Sequence, residues 1–454
     1  MRISIHADPN IHITRLEYIV LYLNHHPYAQ NNVSFTINQQ TADVHLHYGN
    51  PIVNAENPSL HATIPTQNWL LAESDTNQSF WALYANQYDF EEMQVYSVET
   101  SKKRPQSIIE NNKYGFDLFE TLFFHLTRFE EAYAQKDQQD RHGYLLEDHH
   151  FLIRHGLHRS PVVDHLVETL LRSIGINIHH CGQRTLSHDL DAIWKYPNLL
   201  KGIKAFLKTA AAPTRDPTVS KVLQQYLKVK NKTLPDPYDT FDWLLSTPNH
   251  FDKYLFIMAG GQTKYEGHYN LTSNKLNEIV KTADGSGYTL GLHPSYAAYT
   301  DIEKLSTEKK ELEKYLNAEI RDSRQHWLHF DVLETPLLLE HVGISFDHTI
   351  GYQNKVGFRS GTGFSYPWYN LKEERTLNLW EKPFALMDTA LVSETKGHAD
   401  RMHEIVREVI DTIGKKTDFT FNFHNSSFDP LRLGGPELLK IYEQFIKEKT
   451  RSLS

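Results

Sequence analysis

Thr185-Leu186-Ser187-His188-Asp189-Leu190-Asp191 reads as one strand with two unlike faces. The two-residue period puts Thr185, Ser187, Asp189 and Asp191 on one side and Leu186 and Leu190 on the other. Two later stretches repeat the pattern. In Thr289-Leu290-Gly291-Leu292-His293, the histidine ends the strand on the side of Thr289 and Gly291. In Phe419-Thr420-Phe421-Asn422-Phe423-His424, Thr420, Asn422 and His424 share a face while three phenylalanines point oppositely. Three strands that each end in an acid or imidazole predict a parallel sheet with its chemistry at the strand carboxyl ends. Helices would cover the apolar side.

Working outward, further strands are predicted at 254–258, 326–330 and 344–347, with helices over 272–283 and 302–318 between them. Repeated strand–helix alternation identifies an α/β sheet or an incomplete (β/α) barrel. The region before it differs. Helical spacing over 11–24, strands at 33–37 and 44–48, and helices over 116–133 and 161–174 describe a smaller α+β domain. Gly175 stops the last of these helices. The expected division is residues 1–180 and 181–454, with the boundary near 177–183 and a Lys-, Pro- and Thr-rich insertion at 200–237.

A chain of 454 residues is too long for one ordinary core, which agrees with two domains. The net charge of −9 argues against nucleic-acid binding, which needs clustered Lys and Arg. No apolar run is long enough to span a bilayer, and the first residues carry no signal-like stretch, so a cytoplasmic location is expected. The single cysteine, Cys181, rules out an internal disulfide. Motifs of two other hydrolase and nucleotide classes are missing: there is no Gly-x-Ser-x-Gly elbow and no Gly-x4-Gly-Lys-Ser/Thr loop.

Asp189 and Asp191, two apart on one strand, suit a division of labour. One carboxylate can bind a divalent cation while the other takes a proton from water, with imidazoles from other strands completing the site. Asp-x-Asp alone is more often a turn or cap, and a lone strand-end histidine is more often structural. The convergence of several strand ends tips the balance toward a site.

These residues resemble the polysaccharide deacetylases, the NodB-homology group of carbohydrate esterases, in a branch that carries an extra N-terminal domain. The pieces that carry the resemblance occur in order. Phe116-Asp117-Leu118-Phe119 and Arg128-Phe129-Glu130-Glu131 precede Leu186-Ser187-His188-Asp189-Leu190-Asp191. Gly291-Leu292-His293-Pro294-Ser295-Tyr296 and Arg324-Gln325-His326-Trp327 follow. Then come Phe346-Asp347-His348-Thr349, Gly357-Phe358-Arg359-Ser360-Gly361, Met387-Asp388 and Phe423-His424-Asn425.

The resemblance implies an incomplete (β/α) barrel that binds a divalent metal ion, commonly zinc, and acts on a carbohydrate substrate. By the same resemblance Asp189 is the catalytic base, Asp191 and His293 are metal ligands, and His424 protonates the leaving amine or helps stabilise the tetrahedral intermediate. Arg324 tethers the base, and Asp347 supplies a further acid near the catalytic groups and is counted among the substrate contacts. The family's second motif has two histidines four apart, but the position after His293 at that spacing is Ala297. His326 is the candidate for the missing ligand, with Tyr296 and His188 as alternatives. Arg359, in its glycine-flanked loop, and Trp368, among Tyr366 and Tyr369, are candidates for substrate contact, with ion pairing and core packing as the rival explanations. The implied reaction is removal of an acetyl group from an N- or O-acetylated carbohydrate. Hydrolysis of another amide, or carbohydrate binding without catalysis, are the alternatives.

Overall fold

Six strands form a first sheet in the computed structural model, which describes residues 1–29, 33–49, 60–64, 109–110, 113–114, 117–198, 218–261, 263–266 and 269–447. They are β1 (Arg2–Ala7), β2 (Ser34–Ile37), β3 (Val44–Tyr48), β4 (Leu60–Ile64), β5 (Ile109–Glu110) and β6 (Lys113–Tyr114), in the order β2-β1-β3-β4-β6-β5. All neighbours pair in parallel except β5 with β6. The helix Ile13–His25 makes the crossover from β1 to β2 and buries Leu16, Ile19, Tyr22 and Leu23. This part is therefore closer to α/β than to the α+β arrangement expected from sequence.

The helix expected over 116–133 is two pieces, Leu118–Leu126 and Phe129–Ala132. Arg128 between them sits in the left-handed region at φ 53° and turns its guanidinium inward. Asp117 caps the first piece by accepting from Glu120 N, while Phe116 lies outside the described residues. The helix expected over 161–174 spans Val162–Ser173. Of the insertion at 200–237, the portion up to 217 lies outside the described residues, and Val219–Lys230 is a helix.

The second sheet has nine strands: β7 (Arg184–Leu190), β8 (Asp252–Ile257), β9 (Thr289–Leu292), β10 (Asp322–Ser323), β11 (Phe346–Asp347), β12 (Tyr366–Asn370), β13 (Arg375–Glu381), β14 (Leu386–Met387) and β15 (Phe419–Asn422). Their order is β12-β13-β11-β10-β9-β8-β7-β15-β14. Every ladder is parallel except that of β12 with β13. The mixed α/β reading, with a parallel-rich sheet, agrees with the strand–helix alternation seen in sequence.

The sheet curls. β13 and β14 stand second and ninth in the order, which in a flat sheet would separate them by roughly 34 Å. Only residues 382–385 join them, a reach of at most about 19 Å. That segment bonds to both flanks: Lys382 N donates to Asp347 O after β11, Phe384 N to Ile350 O, and Ala385 N to Thr420 O on β15. Strand carboxyl ends from both halves of the sheet are thereby drawn toward one another.

Gly291 on β9 shows how tightly the interior is filled. A Cβ there would lie 2.6 Å from the Phe256 ring. Phe256 in turn lies under the Arg324 guanidinium, 4.5 Å from ring centroid to Cζ.

The first part is fastened to the second along residues 358–374. Tyr18 donates to Pro367 O at 3.0 Å, and Arg15 holds Glu374 through two bonds of 2.9 and 2.6 Å. Val163 N donates to Gly361 O, and Gly363 N donates to the buried Asp164. At the centre, Arg359 Nε donates to Glu131 at 2.9 Å and its Nη2 pairs with the same carboxylate, which also takes two bonds from Arg128. Burial would raise the Glu131 pKa, but Arg359 and Arg128 hold it well below the carboxylate range.

Arg359 thus pairs with Glu131 between the two parts, and it also lines a cavity with Tyr144 and Gln353. The substrate contact expected of Trp368 is corrected. Trp368 is 1 % exposed and packs on Phe330, because the first part covers β12. We expect Arg359→Ala to leave Glu131 with Arg128 alone and to cost stability toward the lower end of the about 3–5 kcal/mol typical of breaking a buried pair. A urea midpoint unchanged from the parent chain would contradict this.

Candidate metal centre

The carboxyl ends of β7, β9, β10, β14 and β15 meet at one place. Asp189 is the next-to-last residue of β7, and Asp191 comes one residue after the strand. His293 comes one residue after β9, Arg324 one after β10, and His424 two after β15. His326 was expected on a strand over 326–330. Instead β10 ends at Ser323, and His326 opens a short 3-10 turn, His326–Leu328. The turn still brings its imidazole to the site.

Asp191 Oδ1 lies 3.3 Å from His293 Nε2 and 3.6 Å from His326 Nε2. These three residues offer ligand atoms all within 4.8 Å of one another. His293 Nδ1 donates to Arg324 O at 2.6 Å, which fixes the tautomer and leaves Nε2 as an acceptor when the ring is neutral. Nε2 then faces a carboxylate oxygen, another acceptor. Both His293 Nε2 and Asp191 Oδ1 are buried without a hydrogen-bond partner. Such a convergence is satisfied by a divalent cation, or by a proton on His293, whose pKa Asp189 and Asp191 raise against burial, and an Asp-His-His set suits zinc-like ions. Asp191 as a residue is partly open to solvent, its side chain 31 % exposed, so the centre can be reached.

Asp189 sits deeper, 3 % exposed. Its Oδ1 accepts from Arg324 Nη1 at 3.0 Å, and its Oδ2 from Asn422 Nδ2 at 2.7 Å. Arg324 is itself fixed by Ser187 Oγ at 2.9 Å and by donating Nε to His348 O at 2.9 Å. Burial would push the Asp189 pKa up, yet Arg324, His293 and His424 bring it down to about 2.

His424 Nε2 stands 3.6 Å from Asp189 Oδ2 and 3.8 Å from Asp191 Oδ2. Its Nδ1 donates to Asp388 Oδ1 at 2.8 Å, and its backbone N donates to Asp388 Oδ2 at 2.6 Å. Burial alone would lower the His424 pKa, but Asp388, Asp191 and Asp189 raise it to about 10. At neutral pH the ring therefore carries a proton.

Other candidates fall elsewhere. Asp347 is fully buried and accepts from Ser323 Oγ and Thr349 Oγ1, both at 3.0 Å. Burial raises its pKa to about 6, and with no surface open to solvent it cannot touch a substrate, a correction to the contact expected of it. His188 points to the opposite face and donates Nδ1 to Phe423 O at 2.7 Å. Tyr296 instead hydrogen-bonds His142 Nδ1 at 2.6 Å and stacks on His329. A second group, Glu130, Glu131 and His150, also has ligand atoms close together, but Arg128 and Arg359 already neutralise its carboxylates.

Sequence reasoning assigned no role to Asp388 or Asn422. Asn422 was visible on the polar face of its strand. Asp388 stood only in the Met387-Asp388 pair, 36 residues from the ring it orients.

Residues 4–176 match DUF7033, a family of unknown function. A comparison with curated protein sequences found no match. Among solved structures the chain is similar to a candidate polysaccharide deacetylase from Mycobacterium smegmatis, at 13% identity and a TM-score of 0.35, covering 60% of this chain and 85% of that one. It is similar to PuuE allantoinase at 11% identity and a TM-score of 0.33, covering 60% and 90%. A candidate polysaccharide deacetylase involved in O-antigen biosynthesis, from Bordetella bronchiseptica, matches at 11% identity and a TM-score of 0.27, covering 59% and 82%. Likeness at this level carries no chemistry, which the side chains must supply. Among the described residues, no helix is long and apolar enough to cross a membrane.

Proposed function

We propose that the chain is a metal-dependent hydrolase that removes an acetyl group from an N- or O-acetylated carbohydrate. One observation carries the reading. Asp191, His293 and His326 converge on one point, with Asp191 Oδ1 and His293 Nε2 buried there without a hydrogen-bond partner, beside Asp189 held low and His424 held high in pKa. The acetylated carbohydrate comes from the resemblance of the ordered strand-end motifs to polysaccharide deacetylases.

Asp191, His293 and His326 would hold the cation. When bound, a divalent cation supplies Lewis acidity toward an acyl oxygen and makes water easier to deprotonate. Asp189 takes the proton from the attacking water, with its carboxylate held in place by Arg324 and Asn422. His424 gives its Nε2 proton to the departing nitrogen or oxygen, with its ring aimed by Asp388. The Asp189 carboxylate and the His424 imidazole, 3.6 Å apart with pKa values held to opposite sides of neutrality, offer a proton acceptor and a proton donor side by side.

The test is acetate release from a panel of acetylated sugars, with ammonia release from small amides measured in parallel. Acetate release that stops on chelation and returns with a divalent ion is expected. Release indifferent to chelation would sink the metal-dependent reading, and ammonia without acetate would move the chemistry to another amide.

His326 is the ligand candidate that departs most from the family pattern. His326→Ala should weaken cation binding by more than roughly a hundredfold, beyond the loss usual for an outer-shell change, whereas Tyr296→Phe should not. Metal content after dialysis reads the difference. A full complement of metal in His326→Ala would remove it from the centre.

A further inference from the structure

The helix Val219–Lys230 packs with a polar residue inward and its leucines outward. Gln225 is buried, donates Nε2 to Asp429 Oδ1 at 3.0 Å, and accepts from Lys195 Nζ at 2.7 Å and Tyr196 Oη at 2.9 Å. Leu223 and Leu227 each lie two residues from Gln225, which on a helix is about 200° round its axis. They are 43 % and 45 % exposed. A surface helix ordinarily turns such residues toward the core. Single exposed leucines need no account, but these two are neighbours one turn apart.

The end of the helix extends the patch. Lys232 takes the left-handed region at φ 57°, and Thr233 N and Leu234 N both donate to Lys228 O, at 2.9 and 3.3 Å. The chain thereby folds back and leaves Leu234 38 % exposed beside the last turn. Lys228, Lys230 and Lys232 are exposed as well, and among the described residues no carboxylate pairs with them. Residues 218–235 hold four lysines and no acid, in a chain whose net charge is −9. Leucines set among lysines on one helix face have the composition of a helix that lies in a bilayer interface.

We propose that the outward face of Val219–Lys230, with Lys232 and Leu234, docks on the surface of an anionic lipid bilayer. The leucines enter the acyl boundary, while the lysine ammonium groups stay at the lipid phosphates. The face is carried by the loops that leave β7 and β15 at the candidate metal centre. Lys195 follows Asp191 by four residues and Asp429 follows His424 by five, and Gln225 is bonded to both. Asn425, next to His424, also donates Nδ2 to Tyr238 O beyond the helix, at 2.8 Å. The inference is independent of the hydrolase reading.

The full chain is sedimented with vesicles of phosphatidylcholine alone and of phosphatidylcholine mixed with phosphatidylglycerol. Binding to the mixed vesicles that weakens with added salt is expected, with little binding to the neutral ones. Lys228→Gln together with Lys230→Gln should lower the partition coefficient by about tenfold or more. Leu223→Ser together with Leu227→Ser should lower it by about as much. Lys281→Gln with Lys310→Gln, an equal charge change at exposed positions on other helices, should leave it unchanged. Circular dichroism checks that each variant is folded, and the lysine pair tests the face should the leucine pair misfold. No binding to the mixed vesicles, equal binding to the neutral ones, or full binding in a folded double variant of the helix would overturn the dock. So would a dimer in solution that dissociates in the leucine variant, which would give the face to a second copy of the chain. Acetate release is scored separately, so failure of the dock leaves the hydrolase reading untouched, and the reverse.

Discussion

Asp189→Asn should lower kcat/KM for acetate release by about 10²–10⁴, the contribution expected of a positioned general base. The amide keeps the size of the carboxylate but cannot take a proton. The change also removes the negative partner of Arg324, which is fully buried. Stability should therefore fall, though less than the about 3–5 kcal/mol of an abandoned buried charge, because Arg324 keeps Ser187 Oγ and His348 O. Cation binding should persist, since Asp191, His293 and His326 are untouched. Activity within tenfold of the parent would take Asp189 out of the reaction.

Asp388→Asn should act through the proton on His424. Asp388 is the largest of the groups that raise the His424 pKa to about 10 against burial. A raised pKa keeps the acid form populated up to that pH, and its contribution is lost as the pH climbs through it. Without the Asp388 charge the pKa falls toward the ordinary value of about 6.5, although Asp191 and Asp189 remain to hold it partly up. The alkaline limb of the kcat/KM profile should move down by about one to two pH units, with an orienting loss of about tenfold or more at neutral pH. His424→Ala should remove that limb altogether. An alkaline limb unmoved in Asp388→Asn would show that His424 is not the group titrating there.

The strand positions were legible because each depends on its own neighbours. Strand β7 runs Arg184–Leu190 against an expected 184–191, and β15 runs Phe419–Asn422 against an expected 419–424. The polar faces that alternation assigned bring Asp189, His293 and His424 together, with His188 turned away. What failed depends on distant chain. Arg359 pairs with Glu131, 228 residues earlier, where a nearby acid had been considered. Tyr366-Pro367-Trp368-Tyr369 looked like an open aromatic loop, but Tyr18 packs on Tyr369 at 5.0 Å and bonds Pro367 O. Trp327, not Trp368, is the exposed tryptophan beside the centre, and its left-handed turn has no local signal such as glycine. His326 reached the centre by that same turn and not by strand alternation.

The strand order of the second sheet also sets a schedule. The residues proposed to hold the cation are all in place once the chain has reached residue 326, whereas the proton donor and its partner arrive only with β14 and β15. The proposed ligands therefore leave the ribosome before the proposed acid does. The proposed acid reaches the proposed base only when Phe419–Asn422 docks beside Arg184–Leu190, a pairing across some 235 residues that is among the slowest kinds of contact to form.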